Sequence, residues 1–161
     1  MVMRWNKGNA LHNQGGYILL ELLTAIFIVL IILGGIMLQI GAYEKAYYKK
    51  QVYMAANQVA NELRNLQQDS MYSNLYTSID INNREGYFLN RSAKVIKLCW
   101  FKDYGCDGVY FNHFIATTHF SKDGAPYKSG RYILSHKKLP EYQYVVEVQP
   151  ITGRVLVSEK K

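Results

Sequence analysis

One carboxylate lies inside a long apolar stretch of the sequence. Glu21 follows Tyr17-Ile18-Leu19-Leu20, and the residues after it stay apolar, apart from Thr24, as far as Leu38. An ionised side chain at the centre of a membrane helix costs about 2.5–3.5 kcal/mol on insertion scales. A cationic partner at the same depth would remove this cost, so the pattern suggests that Glu21 pairs with another molecule. The alternative is that Glu21, near one end of the stretch, reaches the membrane interface without a partner.

The histidines form no known catalytic or metal-binding motif. His113 and His119 have the same parity and could share one face of a strand, and the others are His12 and His136. No H-E-x-x-H, C-x-x-C or G-x-S-x-G motif stands beside them. The sequence also has no glycine-rich phosphate loop and no nucleophile with an evident base. It therefore predicts that the chain is not an enzyme and that it has no cofactor and no metal.

Two cysteines, Cys99 and Cys106, enclose a short loop. If this part of the chain lies outside the cytoplasm, a disulfide is chemically allowed, and it would contribute about 2–3 kcal/mol because the closed loop is short. The spacing does not fit C-x-x-C redox chemistry, and two cysteines make a poor zinc site. We expect a disulfide between Cys99 and Cys106. The alternative is two free thiols, one of them buried as a small apolar group.

The chain is basic, with 19 Lys and Arg against 12 Asp and Glu and a formal net charge of +7. Such a balance permits contact with phosphates or acidic lipids but requires neither. Basic residues with tyrosines between them could bind DNA without sequence preference. The candidate DNA contacts near the C-terminus are Arg154, Lys160 and Lys161. The alternative, which we favour, is a solvated and mildly basic surface.

A long helix is predicted to position Glu21. Residues 17–38 span about 33 Å as a helix, which matches the thickness of a hydrocarbon core. Residues 39–72 continue the helix in amphipathic form, and residues 1–16 have the composition of an unstructured leader. Apolar residues recur at steps of three and four, as on one buried helix face: Val52, Ala56, Val59, Leu63 and Leu66.

Residues 73–161 are predicted to form a β-rich domain. Short apolar and aromatic segments alternate with turn residues, which favours an antiparallel sheet. The predicted segments are Tyr87–Asn90, Lys94–Phe101, Val109–Phe120, Arg131–Ser135, Tyr142–Val148 and Arg154–Val157. The fold class is therefore α+β, with a long N-terminal helix packed on a small antiparallel sheet.

Basic residues flank the apolar stretch on both sides. Arg4 and Lys7 precede it, and Lys45, Lys49 and Lys50 follow it closely. Because the positive-inside rule counts Lys and Arg on both flanks, the local charges do not fix the orientation of a membrane span.

The N-terminal segment resembles the class III signal of type IV prepilins and type II secretion pseudopilins. The likeness consists of a basic leader, Gly16, the aromatic Tyr17, three apolar residues, Glu21 and the long apolar helix. It implies that a prepilin peptidase cuts between Gly16 and Tyr17 and methylates the new N-terminus. Glu21 would then be the fifth mature residue, and the N-terminal amine of a neighbouring subunit would be its cationic partner during assembly.

The resemblance also implies where the protein acts and with which partners. The chain would be a single-pass protein of the cytoplasmic membrane with an extracytoplasmic head, later extracted into a filament. Its partners would be the prepilin peptidase, sibling pilins or pseudopilins, and an inner-membrane assembly platform.

Two further segments are similar to those of H-type minor pseudopilins and their competence relatives: Gln58–Gln68 in the helix, and Phe120–Gly124 with Pro150–Val155 in the tail. The function implied is a minor subunit of a type II secretion, type IV pilus or competence filament. The alternative is a tip subunit that binds DNA for uptake.

Overall fold

The structure, a computed structural model, describes the backbone of residues 11–160 and all their side chains except those of 11–15, 38 and 82. The chain divides into two units, Met1–Glu44 and Lys45–Lys161. One helix, α1 (Leu11–Ser73), contributes to both.

In the first unit, every described side chain of residues 16–44 is exposed. Helix α1 begins at Leu11, so residues 11–16 are helical, and the prediction that residues 1–16 are unstructured is wrong for this part. No proline separates Leu11 from the apolar stretch, and each of Gly15 and Gly16 costs a helix only about 1 kcal/mol. The remainder of the predicted leader lies outside the described residues.

In the second unit, helix α1 buries the apolar stripe that its periodicity predicts. Val52, Ala56, Val59 and Leu63 are fully buried, and Leu66 is 2% exposed. The helix ends at Ser73, and Asn74 follows with a positive φ of 56°. A left-handed residue at this position is a common way to end a helix, and Asn tolerates it better than most residues.

Within residues 11–160, the strands form two antiparallel sheets. The five-stranded sheet has the order β3-β2-β1-β5-β6, and the four-stranded sheet has the order β4-β7-β8-β9. The strands are β1 (Thr77–Asn83), β2 (Gly86–Arg91), β3 (Lys94–Trp100), β4 (Val109–Ile115), β5 (Thr118–Phe120), β6 (Pro126–Lys128), β7 (Arg131–His136), β8 (Leu139–Val148) and β9 (Val155–Lys160).

One hydrophobic core joins the second half of α1 to both sheets. Its centre is a chain of aromatic rings, in which Phe101 lies 5.0 Å from Phe111 between centroids, and Phe111 lies 6.2 Å from Tyr132. Tilted ring pairs at these separations contribute beyond the area that they bury. Phe101 begins a 3₁₀ helix, Phe101–Tyr104, which ends at Gly105 with a φ of 72°.

The α+β class with a long helix and antiparallel strands is confirmed, but the sheet arrangement differs from the prediction. The predicted segment Val109–Phe120 is divided between β4 and β5, which belong to different sheets. The division falls next to Ala116, whose φ of 60° turns the chain out of the four-stranded sheet that contains β4. Strands β1 and β6 were not predicted, because Thr77–Asn83 is largely polar and Pro126–Lys128 is very short.

Candidate functional site

The predicted assembly segment lies on an exposed part of helix α1. Gly16, Tyr17 and Glu21 are exposed, and a side chain added at Gly16 would meet no atom within 4 Å. Within the described residues, the carboxylate of Glu21 has no ion-pair partner. Thr24, the other polar residue, donates its hydroxyl hydrogen to the Glu21 carbonyl at 2.9 Å, so its polarity is satisfied inside the helix. The carboxylate of Glu21 is therefore available for an ion pair or a hydrogen bond with another molecule.

Among the described residues, one helix contains a segment long and apolar enough to cross a membrane, judged by length and composition. The side chains of this segment are exposed. An exposed apolar surface of such length requires either lipid or another protein to cover it.

The two cysteines lie in the core as free thiols, and the disulfide predicted between Cys99 and Cys106 is not formed in the described head. Each sulfur instead has a contact with Tyr104. The Tyr104 hydroxyl donates to Cys99 Sγ at 3.8 Å, and Cys106 Sγ donates to the Tyr104 carbonyl at 3.7 Å. Burial also raises the pKa of the Cys106 thiol, which disfavours the thiolate needed for disulfide exchange.

The candidate DNA contacts do not form one compact patch. Arg154 directly precedes β9 and Lys160 ends it, so about 20 Å of strand separates them. Both are exposed, and Lys160 donates to Gln143 Oε1 at 3.0 Å. Lys161 lies outside the described residues.

A contact between helix α1 and the β7–β8 turn was missed by the sequence analysis, which found no motif at His136. His136 is buried, and its ring stacks on Tyr48 with the centroids 4.4 Å apart. Its Nδ1 accepts the Lys138 N–H at 3.0 Å, so Nε2 carries the hydrogen and donates to the Asp107 carbonyl at 3.0 Å. Both ring nitrogens are thus used in structural hydrogen bonds.

Gly108 makes this contact possible. Its φ is 81°, and a side chain there would place its first carbon 2.8 Å from His136 Nε2. Nearby, Gln51 donates to the Gly105 carbonyl at 3.0 Å and ties the same part of the helix to the end of the 3₁₀ helix. In the described part of the chain, no group of three or more His, Cys, Asp or Glu side chains could hold a metal ion.

Comparisons with known proteins identify the fold. No family model matches the sequence, and no curated protein matches it. The minor pseudopilin EpsH from the type 2 secretion system of Vibrio cholerae is 12% identical, with a TM-score of 0.56 over 68% of this chain and 97% of that chain. The type IV minor pilin FimU of Pseudomonas aeruginosa strain PAO1 is 10% identical, with a TM-score of 0.55 over 68% of this chain and 89% of that chain. The chain therefore has the fold of type IV minor pilins and minor pseudopilins.

Proposed function

We propose that this chain is a minor pilin or pseudopilin, a structural subunit that is anchored in the cytoplasmic membrane and then joins an extracytoplasmic filament. The observation that carries the proposal is the exposed apolar part of helix α1 with Glu21 near its start. The second half of the same helix forms the core of a pilin-type head. A subunit that moves from lipid into a bundle of sibling helices requires such a surface, because both environments bury it.

The processing step follows from the sequence around Gly16. A prepilin peptidase cuts between Gly16 and Tyr17 and methylates the new N-terminus, which places the amine four residues before Glu21. The amine of one subunit then pairs with Glu21 of a neighbour, so the two helices adopt one axial register. The attraction between the two charges grows where water is excluded, so the ion pair favours this register.

Within this class, an H-type minor pseudopilin or a competence relative is the best match. The segment Gln58–Gln68 and the tail segments resemble that subfamily, and the fold is shared with EpsH. The partners are then the prepilin peptidase, the assembly platform of the inner membrane and the sibling subunits. We do not propose a DNA-binding tip, because Arg154 and Lys160 lie at opposite ends of β9.

Intact-mass analysis of the protein from the membrane fraction tests the proposal. The expected mass is that of residues 17–161 plus one methyl group. Gly16→Leu should leave the full-length precursor in the membrane, because the peptidase requires a glycine before the cut. Gly8→Leu, a matched change elsewhere in the leader, should be processed normally. A mature N-terminus downstream of Leu38 would indicate ordinary secretory cleavage and would overturn the proposal.

A further inference from the structure

An apolar surface remains uncovered on the five-stranded sheet. Strands β2 and β3 send Tyr87, Leu89 and Cys99 into the core, so the residues that alternate with them face outward. The register between the two strands shifts after Leu89, so Val95 lies opposite the outward Asn90 and joins the same outer side. Val95 is 60% exposed, Ile96 is 48% exposed and Leu98 is 45% exposed. We call this surface the β3 face, and it consists of Phe88, Val95, Ile96, Leu98 and Trp100.

We propose that the β3 face binds a second filament subunit, a sibling that carries net negative charge. This inference rests on the filament function proposed above. It adds the surface of the head that meets a neighbour and the kind of neighbour that it accepts.

The position of β3 in the sheet supports this role. It is an edge strand, with β2 on one side and no strand on the other within the described sheet. Proteins usually protect such an edge with lysines, but Lys97 lies opposite Leu89, on the inner side. Its Nζ is 2.6 Å from Glu62 Oε1 on helix α1. The charge of Lys97 is therefore held away from the β3 face, which stays apolar.

A groove of about 430 Å³ continues the β3 face toward β1. Asp80 and Asn90 line it beside Phe88 and Val95. Asn90 Nδ2 donates to the Asp80 carboxylate, so the polar side of the groove is held in place by this hydrogen bond. An apolar surface beside a fixed polar group fits a protein partner.

Charge selects the partner. The chain carries +7, of which Arg4 and Lys7 of the predicted leader supply 2, so residues 17–161 carry +5. Two copies with this charge repel each other. Lys94 begins β3, and Nζ of Lys102 lies 5.9 Å from the centroid of the Trp100 ring, so cations flank both ends of the face. An acidic sibling gains attraction at these ends while the apolar centre is buried, as at other specific interfaces.

Site-specific crosslinking in the native cell tests the inference on the full chain. A photoreactive benzoylphenylalanine at position 95 should crosslink to an acidic sibling subunit, which mass spectrometry identifies. The same group at position 156, an exposed apolar residue of the other sheet, should give no such product. Val95→Glu with Leu98→Glu should reduce the crosslink from a photoreactive residue at position 96 at least tenfold, because two anions that repel an acidic partner replace apolar side chains. The more conservative Val95→Thr should reduce it less.

The outcomes separate this inference from the proposed function. A crosslink to a second copy of this chain or to lipid, or no crosslink, overturns the β3 face as the sibling site. If the protein is nevertheless cut after Gly16 and found in filaments, the proposed function stands. If the protein is neither processed nor assembled, both the proposed function and the inference on the β3 face are overturned. Far-ultraviolet circular dichroism of the glutamate variant must match the wild type. If it does not, the crosslink yield of Val95→Thr is used instead.

Discussion

Arg91 at the end of β2 holds the carboxylate of Asp69 on helix α1 with two nearly parallel hydrogen bonds. Nε donates to Oδ2 at 2.7 Å, and Nη2 donates to Oδ1 at 2.5 Å. The guanidinium fork matches the two carboxylate oxygens, which makes such a pair stronger than a single charged contact. The pair connects the last turns of the helix to the five-stranded sheet.

Arg91→Lys is expected to destabilise the head by about 1 kcal/mol, because lysine cannot make both bonds and the pair is partly exposed to water. Thermal unfolding of the purified full chain in detergent, followed by near-ultraviolet circular dichroism, measures the change. Arg154→Lys is the matched control at an exposed position and should leave the transition unchanged. An equal shift in both variants would show that the fork to Asp69 adds nothing.

The helix could be predicted from the sequence because its signal is local. Val52, Val59 and Leu63 repeat at helical spacing, and each position carries the same information about which face is buried. The apolar segment and Glu21 could also be identified locally, because one carboxylate interrupts a continuous apolar run. The fold class followed from the order of one long helix and several short strands.

Other features depend on partners that are distant in the sequence. The burial of His136 requires Tyr48 from the helix and Gly108 from a loop, and no pattern around His136 indicates either. Strand β1 has Ile79 facing the core between polar neighbours, so it lacks the apolar content of a typical strand. We predicted the disulfide from the short spacing of Cys99 and Cys106 and from an extracytoplasmic location. Neither indicates the 3₁₀ helix between them, in which each sulfur has a contact with Tyr104.

The thiols of Cys99 and Cys106 should be unreactive in the folded protein. Both are 1% exposed, so the reagent cannot reach the sulfur atoms. Burial also raises the pKa of Cys106, which lowers the fraction of this thiol in the reactive thiolate form. Iodoacetamide should label neither cysteine under native conditions and both after unfolding without reductant. Peptide mapping under non-reducing conditions is the decisive measurement. A linked pair of peptides containing Cys99 and Cys106 would contradict this prediction.

The head should lose stability in alkali. Burial raises the pKa of Tyr132 from 10.0 to about 12, although hydrogen bonds with Thr118 act in the opposite direction. The unfolded chain therefore releases the Tyr132 proton first, so this contribution is complete below pH 10 and is lost as the pH rises through 12. The loss from this residue amounts to about 2–3 kcal/mol. Burial also raises the pKa of Tyr87, which adds to the slope in the same direction.

Tyr132→Phe isolates the contribution of one tyrosine. The variant should lower the slope of stability against pH between 10 and 12 by about 1.4 kcal/mol per pH unit, which corresponds to one proton. At neutral pH it should be less stable by about 1–3 kcal/mol, because the Thr118 N–H, which donates to the Tyr132 hydroxyl at 2.9 Å, loses its acceptor. Urea unfolding at several pH values gives both quantities. An unchanged slope would mean that Tyr132 ionises equally in both states.

Glu21→Leu should leave membrane insertion and cleavage intact but prevent entry into the filament. Replacing a charge with an apolar side chain favours residence in lipid, so the variant should accumulate in the membrane as mature protein. What it loses is the partner for the N-terminal amine of a neighbouring subunit. Sheared filaments and crosslinks to siblings, compared with the membrane fraction, measure this loss.

Two further variants of Glu21 and a control at Thr24 separate the effect of charge from that of polarity. Glu21→Gln keeps a hydrogen-bonding group without the charge, and it should fail like leucine if the ion pair sets the register. Glu21→Asp keeps the charge with a shorter reach, so it should assemble in part. Thr24→Val removes a hydroxyl that is already bonded to the Glu21 carbonyl, and it should assemble normally. Wild-type levels of the leucine variant in filaments would show that the register depends on packing of the apolar helices, because the carboxylate would then have no role in assembly.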